Sequence, residues 1–344
     1  MHRRTFTLRR SHMQAITFPV AGEVRLTDIT APDAGPGEAL IAVRASGLCH
    51  TDFDVLHARY GPGAFPLVPG HEYAGEVVAV GPDVGDLSVG DRVAVDPNLS
   101  CGTCRSCRRG LGNLCERLGA YGVSTGGGFA ELSAVRAGNL MPIGDMPYEL
   151  AALAEPMGCA LNGVSAVDPN PNDAVLIFGA GPMGLLIGLA LRARKVTQVT
   201  FADVSPDRLE LAEGFGFRAV ASGSAELESM RREIDLTVDA TGKVEVAATL
   251  IDYTADGGSC LFFGVCPPAA RIDVAPFEIF RRQIRLAGAH SLNHNIAAAL
   301  GAIRAAGPDV ARLVSHRLPL EEVAEVLAGK APATGLKIQA AFDK

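Results

Sequence analysis

Two rhythms of apolar and polar residues divide the chain. From Gln14 to Val135 the apolar residues come in short runs, QAITFP, EALIAVRASG, GEVVAVG, DRVAVD and GFAELSAV, separated by Gly and Pro turns. Runs of this length predict strands, and no long helical period interrupts them before Glu149 to Val167, so an all-β-leaning, barrel-like domain is expected. From about residue 173 the pattern becomes strand then helix, repeatedly: AVLIFGA then PMGLLIGLALRAR, QVTFADV then SPDRLELAEGFG, FRAVAS then SAELESMRREI, LTVDAT then KVEVAATLIDYT, followed by GSCLFFGV and QIRLAGAH. This alternation predicts an α/β domain with a parallel, doubly wound sheet and helices on both faces. Ser205 and Pro206 supply an N-cap and a proline at the first helical position of its second helix. A helix near Ile296 to Ala306 and a last strand, GLKIQAAF, are expected to return to the first domain.

The boundaries read from this pattern are 13–163 with 297–344 for the β-rich domain and 164–296 for the α/β domain. A chain of 344 residues fits two domains, since single cores stop growing at roughly 250 residues. With 48% hydrophobic and 20% charged residues it can bury a large core. A net charge of -7 and a pI near 5.6 leave no basic footprint for nucleic acid or anionic lipid, which moves the expectation to small-molecule chemistry. Residues 1–12, MHRRTFTLRRSH, are Arg-rich without the apolar centre of an export signal and read as an upstream start or loose tail. Ala174 to Leu191 is eighteen uncharged residues, long enough for a membrane span. Four glycines and a proline interrupt it, which suits a buried strand, a turn and a buried helix. No membrane segment and a cytoplasmic location are expected.

The densest chemistry is CGTCRSCRRGLGNLC, where Cys101, Cys104, Cys107 and Cys115 hold half of the chain's eight cysteines. Without an export signal, a metal is favoured over disulfides. Zinc fits a four-thiolate set, and Gly102, Gly110 and Gly112 let the backbone wrap the ion. An iron-sulfur cluster is the alternative. A closed tetrahedral site leaves no open coordination position, so this lobe, residues 98–118, anchors a loop and does no chemistry.

A second constellation is dispersed. GLCHTD contains Cys49; twenty-two residues on, PGHEYAGEVVAVG contains His71 and Glu72; LAEPMGCALNG contains Glu155. Singly, each is ordinary: a lone Cys packs as a small hydrophobe, and His-Glu is a common surface pair. Together, one sulfur, one nitrogen and one oxygen from Cys49, His71 and Glu72 or Glu155 make the mixed set typical of catalytic zinc, with a position open for water or substrate. Two zinc ions per chain are therefore expected.

The nucleotide signal is Gly179-x-Gly181-x-x-Gly184, with Pro182 and Met183 inside it, placed after a strand and opening a helix. Its glycines permit a tight turn and close approach of a pyrophosphate to the helix N-terminus. Asp203 follows Gly184 by nineteen residues at the end of the next strand, where a carboxylate accepts from ribose hydroxyls and repels a 2′-phosphate. NAD is thus expected ahead of NADP, with Arg208 the nearby residue that would admit NADP by neutralising Asp203.

These motifs, from about Met13 to the C-terminus, resemble the zinc-dependent medium-chain alcohol and polyol dehydrogenases, in the branch similar to sorbitol dehydrogenase. The likeness is carried by GLCHTD, GHExxGxVxxVG at Gly70 to Gly81, GDRV at Gly90 to Val93, the cysteine lobe, GGFAE at Gly127 to Glu131 and GAGPMG at Gly179 to Gly184. The resemblance implies a GroES-like catalytic domain and a Rossmann domain, usually in homodimers or homotetramers. It implies catalytic zinc on Cys49 and His71, with Glu155 as the third protein ligand of the polyol branch and Glu72 able to exchange onto the metal. Cys159 is expected buried and unligated, and Asp52 is expected to fix the His71 ring. Thr241 and Val265 would flank the nicotinamide, and His50 and Lys337 would meet the pyrophosphate.

The implied reaction is hydride transfer from a metal-activated alcohol to NAD, with Thr51 as first proton relay. The relay's usual terminal histidine is replaced here by Asp54, and His57 is the nearest imidazole, so Asp54, His57 or water is left for proton exit. The loop from Phe53 to Val68 also departs from polyol enzymes, with Val55 where an aromatic is usual and Phe53, Tyr60 and Phe65 as other candidates for the substrate wall. A polyol or other secondary alcohol is expected, with a simple alcohol, a threonine-like substrate or a non-catalytic dinucleotide sensor as alternatives.

Overall fold

The computed structural model describes residues 11–61, 63–331 and 335–342. The expectation for residues 1–12 falls almost wholly outside these, and the first described strand opens at His12. The described residues form two units that divide at Glu155/Pro156 and again at Asn295/Ile296, the first taking up both ends of the chain.

The first unit is built on a seven-stranded mixed sheet. Its longest strand, β1 (Glu38–Gly47), lies centrally and pairs antiparallel with β2 (Glu72–Val80) and with the last strand, Lys337–Ala341. Alternate residues Ile41 and Val43 pack with Tyr73, Val77, Val93 and Val135 in one core, which explains the period of two in the sequence. Between β1 and β2 the chain makes one short helix, α1 (His50–Leu56), where the pattern predicted only a loop. Its seven residues carry too little periodicity to register, and its start is fixed by a tertiary contact described below. The helix α2 (Ala154–Val167) spans the boundary between the units.

The second unit carries six parallel strands: β3 (Val175–Phe178), β4 (Val199–Asp203), β5 (Arg218–Ala221), β6 (Ile234–Asp239), β7 (Thr254–Phe262) and β8 (Arg285–Gly288). Their order is β5-β4-β3-β6-β7-β8, a doubly wound sheet whose order reverses between β3 and β6. The eighteen-residue apolar run splits into β3, a glycine turn and α3 (Pro182–Ala193). Leu185, Leu186 and Ile187 of α3 are fully buried, each contributing roughly 1.5–3 kcal/mol. A helix of 12 residues is too short to cross a bilayer. The helix expected over SAELESMRREI covers only Ala225–Glu228. It stops because Ser229 bonds back to Glu226, and the Arg232 N–H then donates to Asp252 rather than to its own helix.

Candidate metal and nucleotide sites

In the cysteine lobe the sulfurs of Cys101 and Cys107 lie 3.9 Å apart and those of Cys104 and Cys115 4.0 Å apart. A disulfide would bring sulfurs to about 2.05 Å, whereas a tetrahedral ion with metal–sulfur bonds of about 2.3 Å has edges of about 3.8 Å. All four ligand atoms lie within 4.8 Å of one another, a spacing that fits a single ion. The backbone is wound to face these sulfurs with donors: Cys104 N–H to Cys101, Cys107 N–H to Cys104, and Cys101 and Arg117 N–H to Cys115. The Cys101 thiol is lowered to about 5, first by the Arg117 guanidinium and then by backbone N–H groups. Burial pushes Cys107 up to about 11.

The dispersed set also converges. Cys49, His71 and Glu72 each place a ligand atom within 4.8 Å of the other two. The clamp responsible is Asp52, which is fully buried. One of its oxygens accepts from Cys49 N–H at 2.9 Å and so closes the first turn of α1. The other accepts from Gly70 N–H at 3.3 Å and lies 3.3 Å from His71 Nδ1. A single carboxylate thereby ties the Cys49 and His71 segments together and leaves Nε2 as the nitrogen facing an ion. Burial lowers the affinity of His71 for its proton, but Asp52 outweighs this and holds the imidazole well above its ordinary range. The register makes the room: Gly47 stands opposite Glu72 across β1 and β2, and a Cβ there would meet the Glu72 carboxylate at 2.3 Å.

Glu72 is not free. Both its oxygens lie against Lys337 Nζ, at 2.5 and 2.6 Å, and both side chains are buried. Burial alone would lower Lys337, yet Glu72, then Cys49, raise it well above the lysine range, and Glu155 adds to this. Lys337, expected at the pyrophosphate, is thus turned inward on the Glu72 carboxylate. Glu155 is buried in the first turn of α2 but stands outside the set whose atoms all lie within 4.8 Å. Cys159, expected buried, is half-buried.

Thr51 Oγ1 lies 3.6 Å from the Cys49 sulfur. Asp54 stands one turn further along the same helical face, with its carboxylate 4.0 Å from the exposed His50 ring. His57 ends α1, exposed, and turns toward Gly22.

In the second unit, Gly179 has φ +103° and a Cβ on Gly184 would lie 1.9 Å from the Gly179 carbonyl, so neither position admits a side chain. Above Gly181 a Cβ would meet only the Arg208 guanidinium at 3.8 Å, and Gly181 caps α3 without a side chain. The backbone N–H groups of Met183 and Gly184 in the first turn of α3, beside Pro182, which has none, are therefore open to an anion, as a pyrophosphate requires. Asp203 is buried, its oxygens accepting from Ala180 N–H at 2.7 Å and Ser205 N–H at 2.9 Å, with Arg208 at 4.0 Å. Thr241 and Val265 stand exposed beyond β6 and β7, Val265 at 87%. Asp239, the last residue of β6, was missed in the sequence; its signal was an acid ending an apolar strand, without the fixed spacing from the glycine turn that marked Asp203.

Comparison with known proteins decides the family. Residues 35–145 match the alcohol dehydrogenase GroES-like domain, and residues 182–305 match the zinc-binding dehydrogenase domain. The chain belongs to the zinc-binding dehydrogenases. This dehydrogenase is 55% identical over 337 residues to D-altritol 5-dehydrogenase of Agrobacterium fabrum, covering 96% of the chain and 100% of that relative. Among solved structures it is similar to a zinc-binding dehydrogenase of Sinorhizobium meliloti bound to NADP, with TM-score 0.91 and 28% identity over 97% of this chain and 100% of that one. An alcohol dehydrogenase of Escherichia coli CFT073 complexed with NADH matches with TM-score 0.87 and 26% identity over 96% and 100%.

Proposed function

We propose that this dehydrogenase oxidises a polyol at a secondary hydroxyl to the ketose, with NAD as hydride acceptor. The observation that carries the reading is the convergence of Cys49, His71 and Glu72 within 4.8 Å, in a chain whose relative acting on D-altritol matches it end to end. Zinc held by Cys49, His71 and a glutamate would supply Lewis-acid polarisation of the substrate hydroxyl, and NAD the hydride acceptor. Glu155 is assigned as the third ligand and Glu72 as the exchangeable one, because Lys337 already engages both Glu72 oxygens.

The chain's own groups do the rest. Asp52 orients His71. Thr51 takes the hydroxyl proton through its side chain, and Asp54, on the same helical face and paired with His50, passes it toward solvent in preference to His57. Asp203 favours NAD, and Arg208 at 4.0 Å leaves a measurable NADP activity. We assign a cytoplasmic location, since none of the eight cysteines is in a disulfide, and a homodimer or homotetramer, since the edge strand β8, which pairs only with β7 among the described residues, carries exposed Leu286, with exposed Phe277 and Phe280 in the segment just before it.

The test is a stereochemically complete polyol set assayed with NAD and NADP in parallel. NAD-linked oxidation of an altritol-like polyol is expected. Turnover of threonine or simple alcohols alone would overturn the substrate class, and tight NAD binding without any turnover would make the chain a sensor.

A further inference from the structure

A dinucleotide lies across the strand ends where a doubly wound sheet reverses order, here between β3 and β6. On the β3 side, Asp203 grips the glycine turn through Ala180 N–H. On the other side β6 ends in Asp239, which is 1% exposed. Its Oδ1 collects three hydrogen bonds, from Thr241 N–H at 2.8 Å, the Thr241 hydroxyl at 2.7 Å and Gly242 N–H at 3.2 Å. Its backbone carbonyl accepts from Phe263 and Gly264 N–H, at 3.1 and 2.7 Å, so the turns after β6 and β7 both hang from this residue. Its Oδ2 is buried without a hydrogen-bond partner among the described residues.

A buried acceptor left unpaired is destabilising, so a carboxylate kept here serves something other than packing. What it holds is a turn with no slack: Gly242 has φ +68°, and a Cβ there would meet the Val265 carbonyl at 2.7 Å. Thr241 and Val265 at the tips of these turns are exposed, offering a surface over β6 and β7. The glycine turn and Asp203 account for the pyrophosphate and the adenosine, which leaves this surface for the other half of the molecule.

We propose that Asp239 is a positioning residue that fixes the wall for the nicotinamide half of the dinucleotide, acting through Thr241 and Gly242 as Asp203 acts on the glycine turn. This rests on the NAD reading above and adds to it the residue that shapes one half of the site.

The test uses the zinc-loaded full chain, titrated with NADH and with ADP-ribose, which carries adenosine and pyrophosphate but no nicotinamide. Asp239→Asn is expected to weaken NADH roughly 5- to 20-fold while ADP-ribose stays within about twofold, the loss expected from disturbing one or two hydrogen bonds. Thr241→Val, at an exposed position that tolerates the change, should give the same split with a smaller loss, and decides the matter if the Asp239 variant does not fold. Equal loss of both ligands, or unchanged NADH binding in Thr241→Val, overturns the proposal. A parent protein that binds neither ligand overturns the cofactor reading itself, and the proposal with it.

Discussion

The two thiolate-containing sets of the first unit are assembled in opposite ways. Cys101, Cys104, Cys107 and Cys115 lie within fifteen residues, and local N–H groups turn toward each sulfur, so the lobe is a self-contained knot. Cys49, His71 and Glu155 are spread over more than a hundred residues, and only β1, β2 and the Asp52 clamp bring the first two together. The local set is all sulfur, four ligand atoms within 4.8 Å of one another, and a four-thiolate site leaves no coordination position open. The dispersed set mixes sulfur, nitrogen and oxygen, with Asp52 and Lys337 packed against it, as the proposed open site for a substrate requires. Distance in sequence and chemical function go together here, because a site that must present an open face to a substrate is built from several elements.

The largest effect should come from the closed set. Cys104→Ala removes one of four thiolates, and because such sites carry of order 10 kcal/mol of apparent metal-binding free energy, the protein should lose one zinc and most of its soluble yield. Any fraction that folds should keep near-parental kcat, measured after size exclusion; a fully soluble variant with low kcat would mean the lobe does chemistry. Next comes the clamp. Asp52→Asn should cost about 10- to 100-fold in zinc affinity or kcat/KM, read by chelator competition and steady-state kinetics, with the lobe's zinc retained.

A third, smaller effect separates the sets by pH. His71 without metal holds its proton well above the usual range because of Asp52, and zinc must displace that proton. The ion pair with Asp52 stabilises the metal-free fold at low pH and fades as pH rises through the raised value. Zinc affinity of the dispersed site should therefore climb about tenfold per pH unit below that value. In the lobe, Cys101 is lowered to about 5, whereas Cys107, raised to about 11 by burial, holds its proton more tightly. Competition titrations between pH 6 and pH 8 would show both, and a flat profile at the dispersed site would remove Asp52 from its assigned role.

The smallest effect belongs to the second unit. Asp203→Ala should not convert the enzyme cleanly to NADP, because the lost carboxylate also holds Ala180 N–H. An NAD KM raised roughly tenfold, with NADP improved by less, is expected from losing one charged hydrogen bond.

The same contrast explains what could be read from the chain. The parallel sheet, the glycine turn and Asp203 announce themselves by local pattern, as does the cysteine lobe, since each is complete within a few dozen residues. Cys49 and His71 were legible only jointly and through family resemblance. The inward turn of Lys337 was hidden, because a lysine in a strand reads as a surface charge until Glu72, across β1, supplies its partner. The helix α1 was missed for a related reason: its first turn is closed by Asp52, a residue held from outside by Gly70. Asp239 lay in plain view at a strand end, and only the three bonds gathered on one of its oxygens set it apart.

One measurement bears most directly on the claim that Cys49 and His71 share one ion: metal content together with polyol oxidation in the parent, Cys49→Ser and His71→Ala. The account predicts about two zinc ions per chain in the parent and about one in each variant. Each variant should remain folded, with NAD-linked activity down roughly a thousandfold or more. Two zinc ions retained in either variant, or activity within a few-fold of the parent, would contradict it.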